Sequence, residues 1–411
     1  MTESAFAILM LIIFGWAVTS KRLARWNITG PFVLTLAGFL LGNQYWGPIP
    51  IDVEAPSVHL LAELTLAMLL FSDAVRVNVA DLKHDFRVPA GLLAIGLPLT
   101  LILGTLAAVV LFGDFSWALA LFVGAALAPT DAALSAQVIN DKRIPTRVRR
   151  VITVESGLND GIATPIVVFA LALVAGQLDT NGGDHDDIII RPLLEMGIGT
   201  VVGVVFGWGG AKLIAFASRR NWMSSGGRRL ATLAAALGSF AGAVTFDGNG
   251  FIAAFVAGIA FSAALEPGTD QQHELSELPE LLGELLAFGV WFLFGAALVP
   301  VVFELFSGWT LLYAVASLTL IRMVPVALAL VRKGLDRSTV LFVGWFGPRG
   351  LASIVFALLA IEELGDSEPV RQAISVVSFT VLLSVILHGV SAGPIGRRYA
   401  LHHSDALPDS H

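Results

Sequence analysis

The 411-residue chain is 56% hydrophobic and 14% charged, with a net charge of −7 and a mean hydropathy of +0.79, whereas a soluble domain is about 25% charged. This composition excludes a soluble globular protein, and the count of 0 cysteines excludes disulfides, thiolate metal sites and a thiol nucleophile. The longest polar stretch, 266–284, is too short to bury a core of its own. The expectation is therefore an all-α polytopic membrane protein that is not an enzyme and needs no cofactor.

A helix needs about 20 apolar residues to cross the hydrocarbon core. That ruler predicts thirteen spans, at 4–19, 31–44, 56–75, 88–112, 115–139, 148–176, 190–217, 229–246, 248–265, 282–305, 309–331, 338–361 and 371–394. The start, Met-Thr-Glu-Ser, lacks the basic region of a signal peptide, so the first apolar run is expected to remain as a helix. Only a turn around Asp247–Gly250 divides the eighth span from the ninth. Basic residues sort the connections. Lys21, Arg22, Arg25, the group from Lys142 to Arg150, Arg219, Arg220, Arg332 and Arg397 share one side with most others, and the opposite side holds Arg191 and Arg371. By the positive-inside rule the N-terminus lies outside and the C-terminus in the cytoplasm, in a plasma (inner) membrane. The connection 266–281 has no Lys or Arg, is acidic, and is expected to form a short surface helix.

Two spans are interrupted. The fifth reads Ala-Leu-Ala-Pro-Thr-Asp-Ala-Ala at 126–133, and the twelfth Trp-Phe-Gly-Pro-Arg-Gly-Leu-Ala-Ser at 345–353. With the seventh span set aside as a linker, two sets of six remain, each with its break in fifth place. The second set enters from the opposite side, which makes an inverted repeat. Paired interrupted segments point to a transporter binding site near the membrane midplane.

The sixth span carries Glu155-Ser156-Gly157-Leu158-Asn159-Asp160. Intramembrane acids are costly and by default belong to an ion or proton path. Ser156 and Asp160 are four apart and share a helical face, while Glu155 points about 100° away. Pro129 frees carbonyls at the first break. Thr130, Asp131, Ser156 and Asp160 then form an oxygen-only shell, the kind a hard alkali cation such as Na+ prefers, with Asn159 beside it. The alternative for Asp131 is merely to cap the second half of a broken helix. Arg349 needs a buried partner, and Glu155 is the expected one, in a structural ion pair. Arg322 is a second intramembrane cation whose partner is open. Asp73 reads as an accessory acid near a span end, and His59 and His388 as interfacial histidines.

Pro-Thr-Asp at 129–131, Glu-Ser-Gly-Leu-Asn-Asp-Gly at 155–161 and Gly-Pro-Arg-Gly at 347–350 together resemble the monovalent cation:proton antiporters. The similar branch is that of the bacterial and archaeal NhaP-like sodium/proton exchangers. The resemblance covers nearly the whole chain; one departure is Asp131-Ala132 where many relatives have Asp-Pro. It implies a homodimer with a moving core domain, approximately 88–176 and 309–394, beside a dimerisation domain, approximately 4–75 and 190–305. It implies that Asp160 carries ion and proton, that Thr130, Asp131 and Ser156 complete the site, and that Asn159 marks the electroneutral type.

The expected activity is exchange of a monovalent cation, first Na+, for H+ by alternating access of one carboxylate site. Alternatives are K+/H+ exchange or Na+-coupled solute uptake. An intramembrane aspartyl protease would need Tyr-Asp and Gly-x-Gly-Asp motifs, which the chain lacks. A passive channel would not need the inverted breaks.

Overall fold

A computed structural model describes residues 3–43, 46–49, 51, 55–76, 86–178, 185–265 and 271–404, and the regular elements among them are all helices. In chain order these are α1 (Glu3–Ala24), α2 (Gly30–Leu41), α3 (Pro56–Arg76), α4 (Arg87–Leu111), α5 (Trp117–Ala126) and the single turn α6 (Ala136–Ile139). The long α7 (Thr146–Leu178) and α8 (Ile190–Arg219) follow, then α9 (Ser225–Thr245), α10 (Gly250–Ala264), α11 (Glu274–Glu304) and α12 (Gly308–Leu330). The chain closes with α13 (Arg337–Trp345), α14 (Leu351–Leu364) and α15 (Glu368–Ser404). Eight of the helices are long and apolar enough to cross a membrane, and α2, α5 and α10 are shorter apolar helices. The protein is a multi-pass, all-helical membrane protein.

Local chemistry sets several boundaries. Ser116, Asn249, Ser307 and Asp336 each accept a hydrogen bond from a backbone N–H of the turn that follows them, the usual role of a short polar side chain at a helix start. Asn249 thus makes the narrow division between α9 and α10 a true helix boundary. The acidic stretch expected as a separate surface helix is corrected. Its described part begins a helix at Gln271 that continues unbroken into the apolar run. Glu274, Glu277 and Glu280 recur at helical spacing and pair with Arg228, Arg229 and Arg76 of α9 and α3. Residues 266–270 of that connection, and Lys83 in the connection after α3, lie outside the described residues.

Packing gathers the helices into two groups. α3 lies against α10 and α11, α10 against α8 and α9, and α2 against α11. In the other group α5 packs on α4 and α7, α15 on α12 and α14, and α13 on α12. α7 and α14 are the seam, since both also touch α3. Close approach along that seam depends on missing side chains. A Cβ on Gly161 would stand 2.1 Å from the Phe255 ring of α10, and one on Gly157 would meet the Asp73 backbone of α3 at 3.4 Å.

Candidate functional site

The breaks at Pro129 and Pro348 meet in space. α5 stops at Ala126 and α13 at Trp345, and the unwound segments 127–135 and 346–350 run against each other. The Asp131 N–H donates to the Pro348 carbonyl at 2.9 Å. Asp131 Oδ2 accepts from Leu351 N at 2.9 Å, and Oδ1 from Ala133 N at 2.7 Å. The acid of the first break therefore caps the first turn of α14, where unpaired N–H groups and the helix dipole favour negative charge. A Cβ on Gly350 would overlap this carboxylate.

The second break answers in kind. Arg349 is fully buried. Its Nη1 donates to the carbonyls of Ala128 at 2.7 Å and Pro129 at 3.1 Å, and its Nη2 to Ser317 at 3.5 Å. Ser353 Oγ donates to the Ala126 carbonyl at 2.6 Å. The carbonyls of Ala126, Ala128 and Pro129 are those left over at the C-terminal end of α5, where a cation is favoured, and that of Ser317 comes from α12. Each half-helix end is thus satisfied by the residue from the opposite break, which buried backbone in a membrane requires.

The face of α7 next to this crossover carries the remaining polar groups. Thr130 Oγ1 lies 3.0 Å from Ser156 Oγ and accepts from Asn159 Nδ2 at 2.7 Å. All three residues are buried, and Asn159 Oδ1 has no hydrogen-bond partner among the described residues. Asp160 is half-buried and its carboxylate makes no hydrogen bond or ion pair among the described residues. The charges of Asp73 and Asp131 act on it. The structure therefore brings Thr130, Ser156 and Asn159 together, with Asp160 next in chain to Asn159 on α7, Asp131 in the crossover and Asp73 across the seam.

The expected Glu155–Arg349 ion pair is corrected. Glu155 Oε1 instead accepts from Arg322 Nη1 at 2.6 Å, and the two side chains are 3% and 2% exposed. The physical reason is that the unwound α5 end offers Arg349 carbonyls as partners. Gly347 meanwhile leaves room for the Arg322 guanidinium, which would lie 2.4 Å from a Cβ there. Arg322 thereby gains the partner that sequence reasoning left open.

Other supporting residues were missed. Ser384 Oγ accepts the Arg349 N–H at 2.8 Å. His388, expected at an interface, is 1% exposed and stacks on Trp345. Its Nε2 lies 2.8 Å from the Trp345 carbonyl and its Nδ1 3.2 Å from Ser384 Oγ. Nδ1 also lies 2.9 Å from the Ser384 carbonyl, so a neutral ring donates to only one of the two carbonyls, and Nε2–H on Trp345 leaves Nδ1 to accept from the Ser384 hydroxyl. His388 thus caps the C-terminal end of α13. The available signal was the i, i+4 spacing of Ser384 and His388 on one face of α15. His59 is also buried, with Nδ1 3.1 Å from Glu362 Oε2.

Comparison with known proteins adds to this geometry. The family model described as sodium/hydrogen exchanger, transmembrane, matches residues 8–398. The K(+)/H(+) antiporter NhaP of Alkalimonas amylolytica is 26% identical over 407 residues, which cover 97% of this chain and 66% of that protein. The K(+)/H(+) antiporter NhaP2 of Shewanella baltica (strain OS223) is 24% identical over 392 residues, covering 95% of this chain and 66% of that protein. The chain thus spans 66% of the length of these curated relatives. The structure of the sodium proton antiporter MjNhaP1 from Methanocaldococcus jannaschii superposes with a TM-score of 0.74 at 21% identity, covering 97% of this chain and 99% of that one. It shares the fold.

Proposed function

The chain belongs to the sodium/hydrogen exchanger family, and we propose that it exchanges a monovalent cation for protons through the single carboxylate of Asp160. The observation that carries this reading is the Asp160 side chain itself: an acid on the membrane helix that also carries Ser156 and Asn159 to Thr130, with no hydrogen-bond or ion-pair partner among the described residues. Burial disfavours a bare carboxylate charge, and either a proton or a cation discharges it. The two ligands therefore compete for one group. The neutralised site can cross the barrier and the empty anion cannot, so the fluxes are coupled. Ser156, Thr130 and the unpaired Asn159 Oδ1 supply neutral oxygens, and Asp131 supplies negative potential from the crossover while its own oxygens cap α14.

In this reading the moving core comprises α4–α7 and α12–α15 (approximately 88–176 and 309–394), and α1–α3 with α8–α11 form the static, dimerising part (approximately 4–75 and 190–305). The two packing groups and the glycine-lined seam support that division. The protein works as a homodimer in the inner membrane, N-terminus outside and C-terminus in the cytoplasm, with one cation exchanged per proton, since Asn159 stands where a second acid would carry a second proton. Sodium is the first choice of cation. Potassium is the second reading, favoured by the two K(+)/H(+) antiporters among the relatives.

The test is a proteoliposome assay. A pH gradient is imposed, Li+, Na+, K+ or Rb+ chloride is added in turn, and internal pH is followed. Dissipation by one or more of these cations is expected, and no response to any of them would overturn the antiport reading. Repeating the assay under a potential set by a permeant anion checks the stoichiometry. A moved elementary charge would feel about 2.3 kcal/mol per 100 mV, so an equilibrium pH gradient that shifts with potential would overturn one-for-one exchange.

A further inference from the structure

Resting on the antiport reading, we propose that Arg76 is a tethered competitor for the transported cation at Asp73, held away from that acid by Glu280. Asp73 and Arg76 sit one helical turn apart at the end of α3, and the two side chains share a face. Asp73 lies against Gly157 of α7, the residue three before Asp160. Arg76 Nη1 stands 3.8 Å from Asp73 Oδ1. On its other edge the guanidinium engages Glu280 of α11 twice, Nε with Oε2 at 3.2 Å and Nη2 with Oε1.

One guanidinium therefore lies between two carboxylates from two helices. It is bound in a forked pair to the outer one and within electrostatic reach of the inner one. Arg76 also acts on Glu284, one turn further along α11, and the charges of Asp131 and Asp160 complete the acidic surroundings of Asp73. The Arg76 side chain is 41% exposed and the Glu280 side chain 33%. Exposed ion pairs are weak and exchange partners readily. A swing of a few ångströms moves the guanidinium from Glu280 onto Asp73, where it takes the place of an arriving alkali cation. The balance between these two positions sets how strongly Asp73 helps draw a cation toward Asp160.

The pair of variants R76Q and E280Q tests this because the two must act in opposite directions. R76Q removes the competitor, and the apparent KM for the cation falls several-fold. E280Q releases Arg76 onto Asp73, and KM rises several-fold. Maximal exchange rate changes less than KM in both. Because Glu280 acts through Arg76, the double variant R76Q/E280Q should match R76Q alone. If the double variant instead binds the cation more weakly than R76Q, Glu280 attracts the cation directly and the proposal fails. It fails equally if both single variants move KM the same way, or if they lower rate and yield with KM unchanged, as a purely structural pair would. Cation-dependent thermal stabilisation of the purified protein reports the same order of affinities without transport. Wild-type stabilisation by a cation with no exchange would overturn the antiport reading while still testing Arg76. Stabilisation that is equal in all four proteins would overturn the role of Arg76 alone.

Discussion

Asp131 in the crossover and Asp160 on α7 are both acids inside the helical bundle, and among the described residues neither has a cationic side chain paired with it. Asp131 has both carboxylate oxygens occupied by backbone N–H groups. Asp160 has neither occupied among the described residues. The other buried charges resemble Asp131: Glu155 is held by Arg322, and Arg349 by three carbonyls. Charge that holds the fold is saturated by fixed partners, whereas the Asp160 carboxylate is unsaturated among the described residues, and on the proposed function its partner is the transported ion.

The largest expected effect lies at the unsaturated acid. Asp160→Asn should bring cation-driven proton flux to background while the purified protein keeps its oligomeric state and thermal midpoint, as size-exclusion chromatography and thermal unfolding would read. An amide can ligate weakly but cannot carry a proton, and no fixed partner is orphaned by the change. Flux near the wild-type level would erase the contrast with Asp131.

Next come the saturated charges, where stability rather than flux should respond. Glu155→Gln or Arg322→Ala strands a buried charge and should cost about 3–5 kcal/mol, read as a large drop in thermal midpoint and yield. In a double-mutant cycle the combined change should recover part of that cost. Strict additivity would contradict the pairing. The same cycle between Glu155 and Arg349 should show weaker coupling.

Gly350→Ala probes the crossover more gently. The new methyl would displace the Asp131 carboxylate from Leu351 N, and overpacking of this kind costs about 1–3 kcal/mol. A thermal midpoint unchanged from wild type would show that the Asp131 cap is dispensable.

The smallest effect is expected outside the membrane. In the connection between α6 and α7, Arg143 donates to the Asp141 carboxylate and holds it below its usual range. The stabilisation it gives is present above the unfolded value of about 3.9 and is lost as pH falls through the lower folded value. Asp141→Asn should leave exchange unchanged near neutrality, and its small loss of stability should fade in acid. A change in transport would place this loop in the mechanism.

The breaks were legible in sequence because proline forbids the helix that the surrounding apolar run demands. The shared face of Ser156 and Asp160 followed from helical spacing alone. The pairing of Glu155 was not legible. Arg322 is 167 residues away, and nothing local tells which of two buried arginines reaches it. The need of a buried arginine for a partner placed Arg349 beside Glu155, but the carbonyls of Ala128 and Pro129, freed at the break and assigned in the sequence reading to the cation site, take that guanidinium instead. The acidic start of α11 was read as a separate surface helix because its charge set it apart from the apolar run that it in fact continues into. Glu274, Glu277 and Glu280 form a helical stripe whose partners lie on α3 and α9.

Gly157 and Gly161 have a mechanical consequence. Helices usually lock by seating the ridges of one in the grooves of the next, and such teeth resist sliding. α7 turns a bare backbone toward α3 at Gly157 and toward the flat Phe255 ring at Gly161. On either side of Asp160's turn the contact is smooth, closer to a bearing than to a gear. A displacement of α7 along its own axis therefore meets no tooth there, and a bulky side chain at Gly161 would act as a brake.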